Sequence, residues 1–333
     1  MFITHSIYVS INSDSLNPDD DAGQNTASYT CPCFDGQADR LLPAILDFCV
    51  DFEDIRRTNA ERTVVVQPSG DTQEALIYAC LFLGAYLILR HGAAFDAVVA
   101  LFGQDRLGFD VNLLLDDEPS FRTLDCWSAL SHAVRLDWIS PTTDQEDDEP
   151  LVDLAEMLHY ARPANGNVHT VIPGKLLLFP TPDDALDAAG ADWSDTAGPD
   201  GRTARSFSAG FAAALLRDLG VSAVACLGRG SAATAAALAR RGIESVDLGL
   251  AADGSSLLRG LDALLSLAGG APGAVAVHAG GGPGGGRGWP GYAGTLVRAA
   301  VMSRAGLDEG AAGAWLRMAC PWSVRRPALT EAE

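Results

Sequence analysis

Positive charge is scarce in this chain. Its 333 residues carry 23 Lys and Arg against 43 Asp and Glu, a formal net charge of −20. A nucleic-acid binder needs a basic stripe to displace counterions from phosphates, so that class of function is excluded. Lysine is scarcer still, Lys175 being the single one. Long apolar runs are lacking too. The longest uncharged apolar run, Ala75–Leu89, has 15 residues, short of the ~20 that span a bilayer, and reads as a helix buried inside a domain with no membrane role. Cysteines lack the pairing of a metal or disulfide framework. Seven are scattered at 31, 33, 49, 80, 126, 226 and 320, and no second pair answers Cys31-Pro32-Cys33. No metal site is expected, and the thiols are expected to be reduced in an intracellular setting. The first residues, MFITHSIYVSINSDS, lack a basic region followed by an apolar one, so no secretory signal is expected.

What is present describes a globular protein of roughly two domains. Hydrophobic residues make up 48%, charged residues 20% and aromatics 7%, enough to bury a sizeable core. The acidity sits in one half. Residues 1–160 hold 28 acidic and 8 basic side chains, whereas residues 161–333 hold 15 of each. The Ala/Gly-rich second half reads as a composition bias and carries no function.

The polar stretch Asn12–Gln24 belongs to a lead-in over residues 1–27. A first domain is expected over 28–139. In it a strand at Thr63–Gln67 breaks at Pro68-Ser69-Gly70-Asp71 and enters a helix over about Thr72–His91, with helical spacing again at Ala94–Phe102 and Phe121–Leu136. Ser140–Pro150 carries five acidic residues and reads as an exposed acidic loop. With a connecting helix at Leu151–Ala161 it forms a junction over 140–167. The second domain is expected over 168–333. Its strands are placed at Val171, Leu176–Phe179, Ala223–Leu227, Val246–Leu250 and Ala274–His278. Its helices are placed at Phe207–Leu219, Ala232–Arg241, Ser256–Leu267, Thr295–Ala305 and Leu307–Cys320. The alternation predicts α/β layering around a largely parallel sheet.

The most informative stretch is Gly273–Ser303. A buried strand, GAVAVH, runs into a glycine-rich loop and then into a helix at Gly294-Thr295. Such a loop can point backbone N–H groups at an anion, helped by the helix dipole. It lacks the Gly-Lys-Ser/Thr of a nucleoside-triphosphate loop.

Taken together, several segments resemble the Cdc-fourteen family of dual-specificity protein phosphatases, the mitotic-exit phosphatases. They are RTVVVQPSGDTQEALIYACLFLGAYLIL (62–89), FRTLDCWSAL (121–130), VIPGKLLLFPTP (171–182), SVDLGLAADGSS (245–256), GAVAVH (273–278) and the run 293–324 ending WLRMACPWSV. The resemblance implies an α/β fold of two tandem dual-specificity/tyrosine-phosphatase-like domains, each a central largely parallel sheet flanked by helices, the first normally non-catalytic. It also implies a chemistry. A Cys-x5-Arg loop supplies a thiolate that attacks phosphorus and an arginine that clamps the phosphate oxygens, while a nearby aspartate protonates the leaving group.

Laid on this chain the motif is broken. His278 matches the signature histidine, but Ala279 stands where the nucleophile belongs. The loop is longer by about five residues, so Arg287 lies eight positions beyond Ala279 instead of six; counted from the helix, the arginine's place falls to Tyr292. Asp253 matches the general acid and equally suits a turn before Gly254. The family's water-positioning glutamine has no counterpart near Trp322-Ser323. In the first domain the equivalent loop, VVVQPSGDTQEAL, holds neither Cys nor Arg, and Asp71 and Glu74 would repel a phosphate.

The expected function is that of a catalytically inactive phosphatase-like protein, a pseudophosphatase without a cofactor, serving as a protein-binding or architectural subunit of a larger assembly. The alternatives are a phosphopeptide reader using the remnant loop, or a weakly active phosphatase. His278 reads as a core or loop-shaping residue, and Arg287 as a solvated arginine or an anion contact. Trp289 and Tyr292 read either as interface anchors or as plugs of the vacant pocket. By family analogy and the GC-rich composition, the expected setting is cytoplasmic or cytoskeletal, in a cilium or axoneme.

Overall fold

The computed structural model describes residues 7–9, 26–31, 41–70, 72–103, 110–112, 121–139, 154–197, 203–228, 230–250, 256–278 and 291–320. The chain divides into two compact units. One comprises Met1–Glu149 with Gly313–Met318, the other Pro150–Ala312 with Ala319–Glu333.

In the first unit the central strand β3 (Thr63–Gln67) pairs in parallel with β1 (Ile7–Val9) on one side and β2 (Thr26–Thr30) on the other. The β-branched run Val64–Val66 is buried, as expected for a strand covered on its faces. Ile7–Val9 falls within the stretch read as a lead-in. Three residues are too short to show an alternation, which is why the sequence does not announce this strand.

Helix α1 (Leu41–Thr58) lays Phe48 and Phe52 against Tyr29 of β2, with ring centroids 5.6 and 5.7 Å away. Helix α2 (Gln73–His91) is buried from Leu76 to Leu89 without a break, so it is hydrophobic all round. Its length and mean hydropathy of 1.4 would suffice for a membrane span, but 78% of that window is buried inside the protein. The helix begins at Thr72, whose hydroxyl accepts from Ala75 N at 3.2 Å, and ends at Gly92 in the left-handed region with φ 59°. Thr72→Ala is expected to cost about 1 kcal/mol, read as a lower urea midpoint for unfolding of this unit. Helices α3 (Phe95–Leu101) and α4 (Thr123–Arg135) pack beside α2. The closest approach is at Gly84, whose missing side chain admits the Trp127 ring of α4.

The second unit opens with α5 (Leu154–Ala161) and builds a five-stranded sheet from β4 (His169–Ile172), β5 (Leu176–Leu178), β8 (Val221–Cys226), β9 (Glu244–Asp247) and β10 (Ala274–His278). The spatial order is β4-β5-β10-β8-β9. β4 pairs antiparallel with β5, while β5–β10, β10–β8 and β8–β9 are parallel. Between β5 and β8 the chain forms α6 (Asp184–Ala189), the antiparallel hairpin β6 (Trp193–Ala197) and β7 (Thr203–Phe207), and α7 (Ala209–Asp218). The sequence reading has no strand at 193–207; WSDTA and TARSF are polar and small enough to pass for a loop.

Helix α8 (Ala232–Arg240) joins β8 to β9, and α9 (Leu257–Gly270) joins β9 to β10. Leu177, Phe179, Val224, Ala274 and Ala276 form one core with Ala213 and Leu216 of α7 and Leu238 of α8. Two helices follow β10: α10 (Gly291–Ala305) and α11 (Glu309–Ala319). The sequence expects the strand after β8 at Val246–Leu250; the ladder instead holds Glu244–Asp247, because Gly249 turns the chain with φ 58°.

Candidate functional site

The region that the sequence singles out lies at the carboxyl end of β10. The path β8–β9 runs to one side, and β9–β10 returns to the other side of β8, so β8 and β10 flank a topological switch point. In open α/β sheets, that is where ligands are bound.

Register places four residues in one row across the strand ends. Phe179 follows Leu178, the partner of Val277; His278 pairs with Cys226, and Cys226 with Asp247. Side chains alternate along a strand, so His278 shares the face of Ala274 and Ala276, the face of the α7–α8 core. That placement explains its burial, at 2% exposure. Its ring lies 5.1 Å from that of Phe179, and its carbonyl accepts from Leu227 N at 3.0 Å. Burial pushes its pKa down to about 4, with Asp247 pulling weakly the other way. At neutral pH the imidazole is uncharged.

Cys226 is the thiol nearest this histidine in the ladder. It is 1% exposed, and its Sγ donates to the Gly228 carbonyl at 3.3 Å. Burial, with Asp247 adding to it, pushes the thiol up to about 11. On the order of one molecule in ten thousand would carry a thiolate at pH 7, whereas nucleophilic cysteines have depressed values. Asp247 itself is engaged by backbone. Its Oδ1 accepts from Gly249 N at 2.8 Å and its Oδ2 from Gly230 N at 3.4 Å, which ties the loop after β8 to the loop after β9. The row thus has three packed, uncharged members, Phe179, His278 and Cys226, and an exposed carboxylate, Asp247, at its edge. Cys320 is likewise fully buried, just beyond α11.

Of the residues that the sequence nominates, the structure describes His278 in full. Tyr292 stands in the first turn of α10, and nothing further is described of it. Ala279, Arg287, Trp289 and Asp253 lie outside the described residues. Phe179 and Asp247 were not nominated. Their neighbourhood with the histidine emerges only when the strands are aligned in the sheet. Among the described residues there is no group of three or more His, Cys, Asp or Glu that could hold a metal ion.

No protein-family model matches the chain, and no curated protein matches it. Among solved structures, that of Tk-PTP in the active form is similar over 48% of this chain and 88% of its own, with 16% identity and a TM-score of 0.31. The likeness is loose. The architecture itself is mixed α/β in both units.

Proposed function

We propose that this chain is a catalytically inactive, phosphatase-like protein built of two tandem domains, which serves as a protein-binding or architectural subunit. One observation carries the reading. The strand that should deliver a nucleophile ends in His278 and is followed by Ala279, while the neighbouring thiol, Cys226, is a buried hydrogen-bond donor held in its protonated form. A two-step phosphoryl transfer needs a thiolate to displace the alcohol and then a water to release the phosphate. Without the first, an acid at Asp253 has no leaving group to protonate. The acidic surplus of residues 1–160 favours a partner with a basic face.

The test is hydrolysis of a small aryl phosphate by the purified chain and by its Cys226→Ser variant, beside an active phosphatase. Neither should turn over above the buffer blank. Turnover that co-purifies with the chain and disappears in Cys226→Ser would establish a relocated nucleophile and overturn the reading.

A further inference from the structure

Four side chains of the first unit meet where α1 and α2 end. Arg56 Nη1 donates to the Tyr86 hydroxyl at 2.5 Å and stands 2.8 Å from His91 Nε2. The Tyr86 hydroxyl donates to Glu53, which also lies 3.6 Å from Arg56. The His91 ring meets Tyr86 edge-on, with centroids 5.1 Å apart and Nε2 3.0 Å from the hydroxyl. We propose that Glu53, Arg56, Tyr86 and His91 form a proton-operated latch, which fastens the last turn of α1 to the end of α2 and opens when His91 takes up a proton.

The chemistry of the donors fixes the direction. A guanidinium has only donors, so Arg56 at 2.8 Å can bond only a bare Nε2 on His91, and the Tyr86 hydroxyl oxygen 3.0 Å away is then a contact of that nitrogen and not its hydrogen-bond partner. The latched histidine is therefore neutral, with its proton on Nδ1. Protonation puts an N–H where the acceptor was and sets two cations side by side. Tyr86 is fully buried and cannot yield, whereas Arg56 sits at the border of the protein and can turn to solvent.

His91 is solvent-accessible, so protons reach it directly. The charges acting on it come from Arg56 and Glu53 of α1, and Tyr86 is the titratable neighbour on its own helix, with Arg90 one residue before. Among the described residues, α3 and α4 add no charge that it senses. Burial of its inner edge, followed by Arg56, lowers its pKa below 6.5, and Glu53 offsets part of this. The latch is thus closed at neutral pH and opens as the pH falls through that lowered pKa.

What it releases is defined. Beyond Arg56 the chain turns through Asn59 and Arg62 into β3, and that turn is held by local bonds. Thr58 Oγ1 donates to the Asp54 carbonyl at 2.8 Å, Asn59 Nδ2 to the Ile55 carbonyl at 2.9 Å, and Arg62 N to the Asn59 carbonyl at 2.9 Å.

Two measurements on the full chain test the latch. Histidine nitrogen NMR at pH 7.5, with the resonance assigned by its loss in His91→Gln, should show an Nδ1-protonated ring. Hydrogen exchange of amides 56–62, corrected for intrinsic rates, should lose roughly tenfold protection across the pH interval in which the His91 ring is seen to titrate by NMR. In His91→Gln, which keeps an acceptor but cannot titrate, the protection should stay level. An Nε2-protonated ring, a protection that does not change with pH in the natural chain, or an equal loss in His91→Gln would each overturn the proposal.

Discussion

Gly84→Ala should strip the first unit of a large share of its stability. A methyl group on Gly84 would stand 2.3 Å from Cε2 and 2.4 Å from Nε1 of Trp127. That ring has nowhere to go. It is fully buried, its Nε1 donates to the Leu81 carbonyl at 3.0 Å, and Phe102 packs on it at 5.2 Å. Overpacking costs ~1–3 kcal/mol where a core can give, and a buried N–H left without its acceptor adds ~1–3 kcal/mol. A loss of about 4 kcal/mol is expected, a large share of an ordinary domain's stability. Trp127→Ala should cost ~3–5 kcal/mol through the cavity it leaves. The double variant separates clash from coincidence. With the indole gone the methyl is tolerated, so the two losses should fall short of their sum by about 2 kcal/mol or more. Strict additivity in urea unfolding would mean that the helices do not meet at this glycine.

Acid should destabilise the second unit through two buried imidazoles. His278 and His169 are 2% and 5% exposed, and burial holds each pKa at about 4. His169 stands between the Ala319 carbonyl, 3.0 Å from Nδ1, and the side-chain amide of Asn167, 3.0 Å from Nε2; a neutral ring donates to the carbonyl and accepts from the amide when its NH2 faces the ring. In the unfolded chain both rings take up protons near pH 6.5. Between 6.5 and 4 the unfolded state therefore binds more protons than the folded one. The stability that these rings allow is complete above pH 6.5, drains away down to about 4, and is level below. A depression of this size is worth roughly 3 kcal/mol for each ring over the whole window, and about 2 kcal/mol for each by pH 5. Urea unfolding of this unit at pH 7.5 and pH 5 should differ accordingly, and His278→Gln should remove about half of the difference. Equal stability at the two pH values would contradict burial of these rings in neutral form.

The legible parts of the sequence were those with a strong period or an unambiguous stop. TVVVQ gave β3 residue for residue, and AVAVH gave β10, because a short apolar run bounded by Gly, Pro or a loop admits one reading. Helix α2 was clear from its apolar run and the break at Pro68-Ser69-Gly70-Asp71 before it. β1 has three residues and β2, TASYT, is polar at alternate places; both acquire their meaning from pairing with β3, which is not local information. The β6–β7 hairpin is held by partners six to fourteen residues apart, among them Trp193 opposite Phe207 and Asp195 opposite Arg205, and the pairing is not visible in either strand by itself.

At the candidate site, the identity of Ala279 and the count of residues to Arg287 were available from the chain alone. The row Phe179–His278–Cys226–Asp247 was not, since four strands from separate stretches must be aligned before their ends become neighbours. Its electrostatics followed from the same alignment. Cys226 lies in the strand expected at Ala223–Leu227, but its protonation state follows from its burial in the folded sheet, then from Asp247 across the ladder and the Gly228 carbonyl.

The measurement that bears most directly on the central claim is a rapid acid quench of the chain mixed with excess aryl phosphate, followed by mass spectrometry of its cysteine peptides. A thiol-based phosphatase accumulates a phosphoryl-cysteine intermediate and shows a burst of released phenol. The account predicts no phosphoryl adduct on any of the seven cysteines and no burst. An adduct on Cys226, or on any other thiol, that forms and decays at the rate of turnover would contradict it.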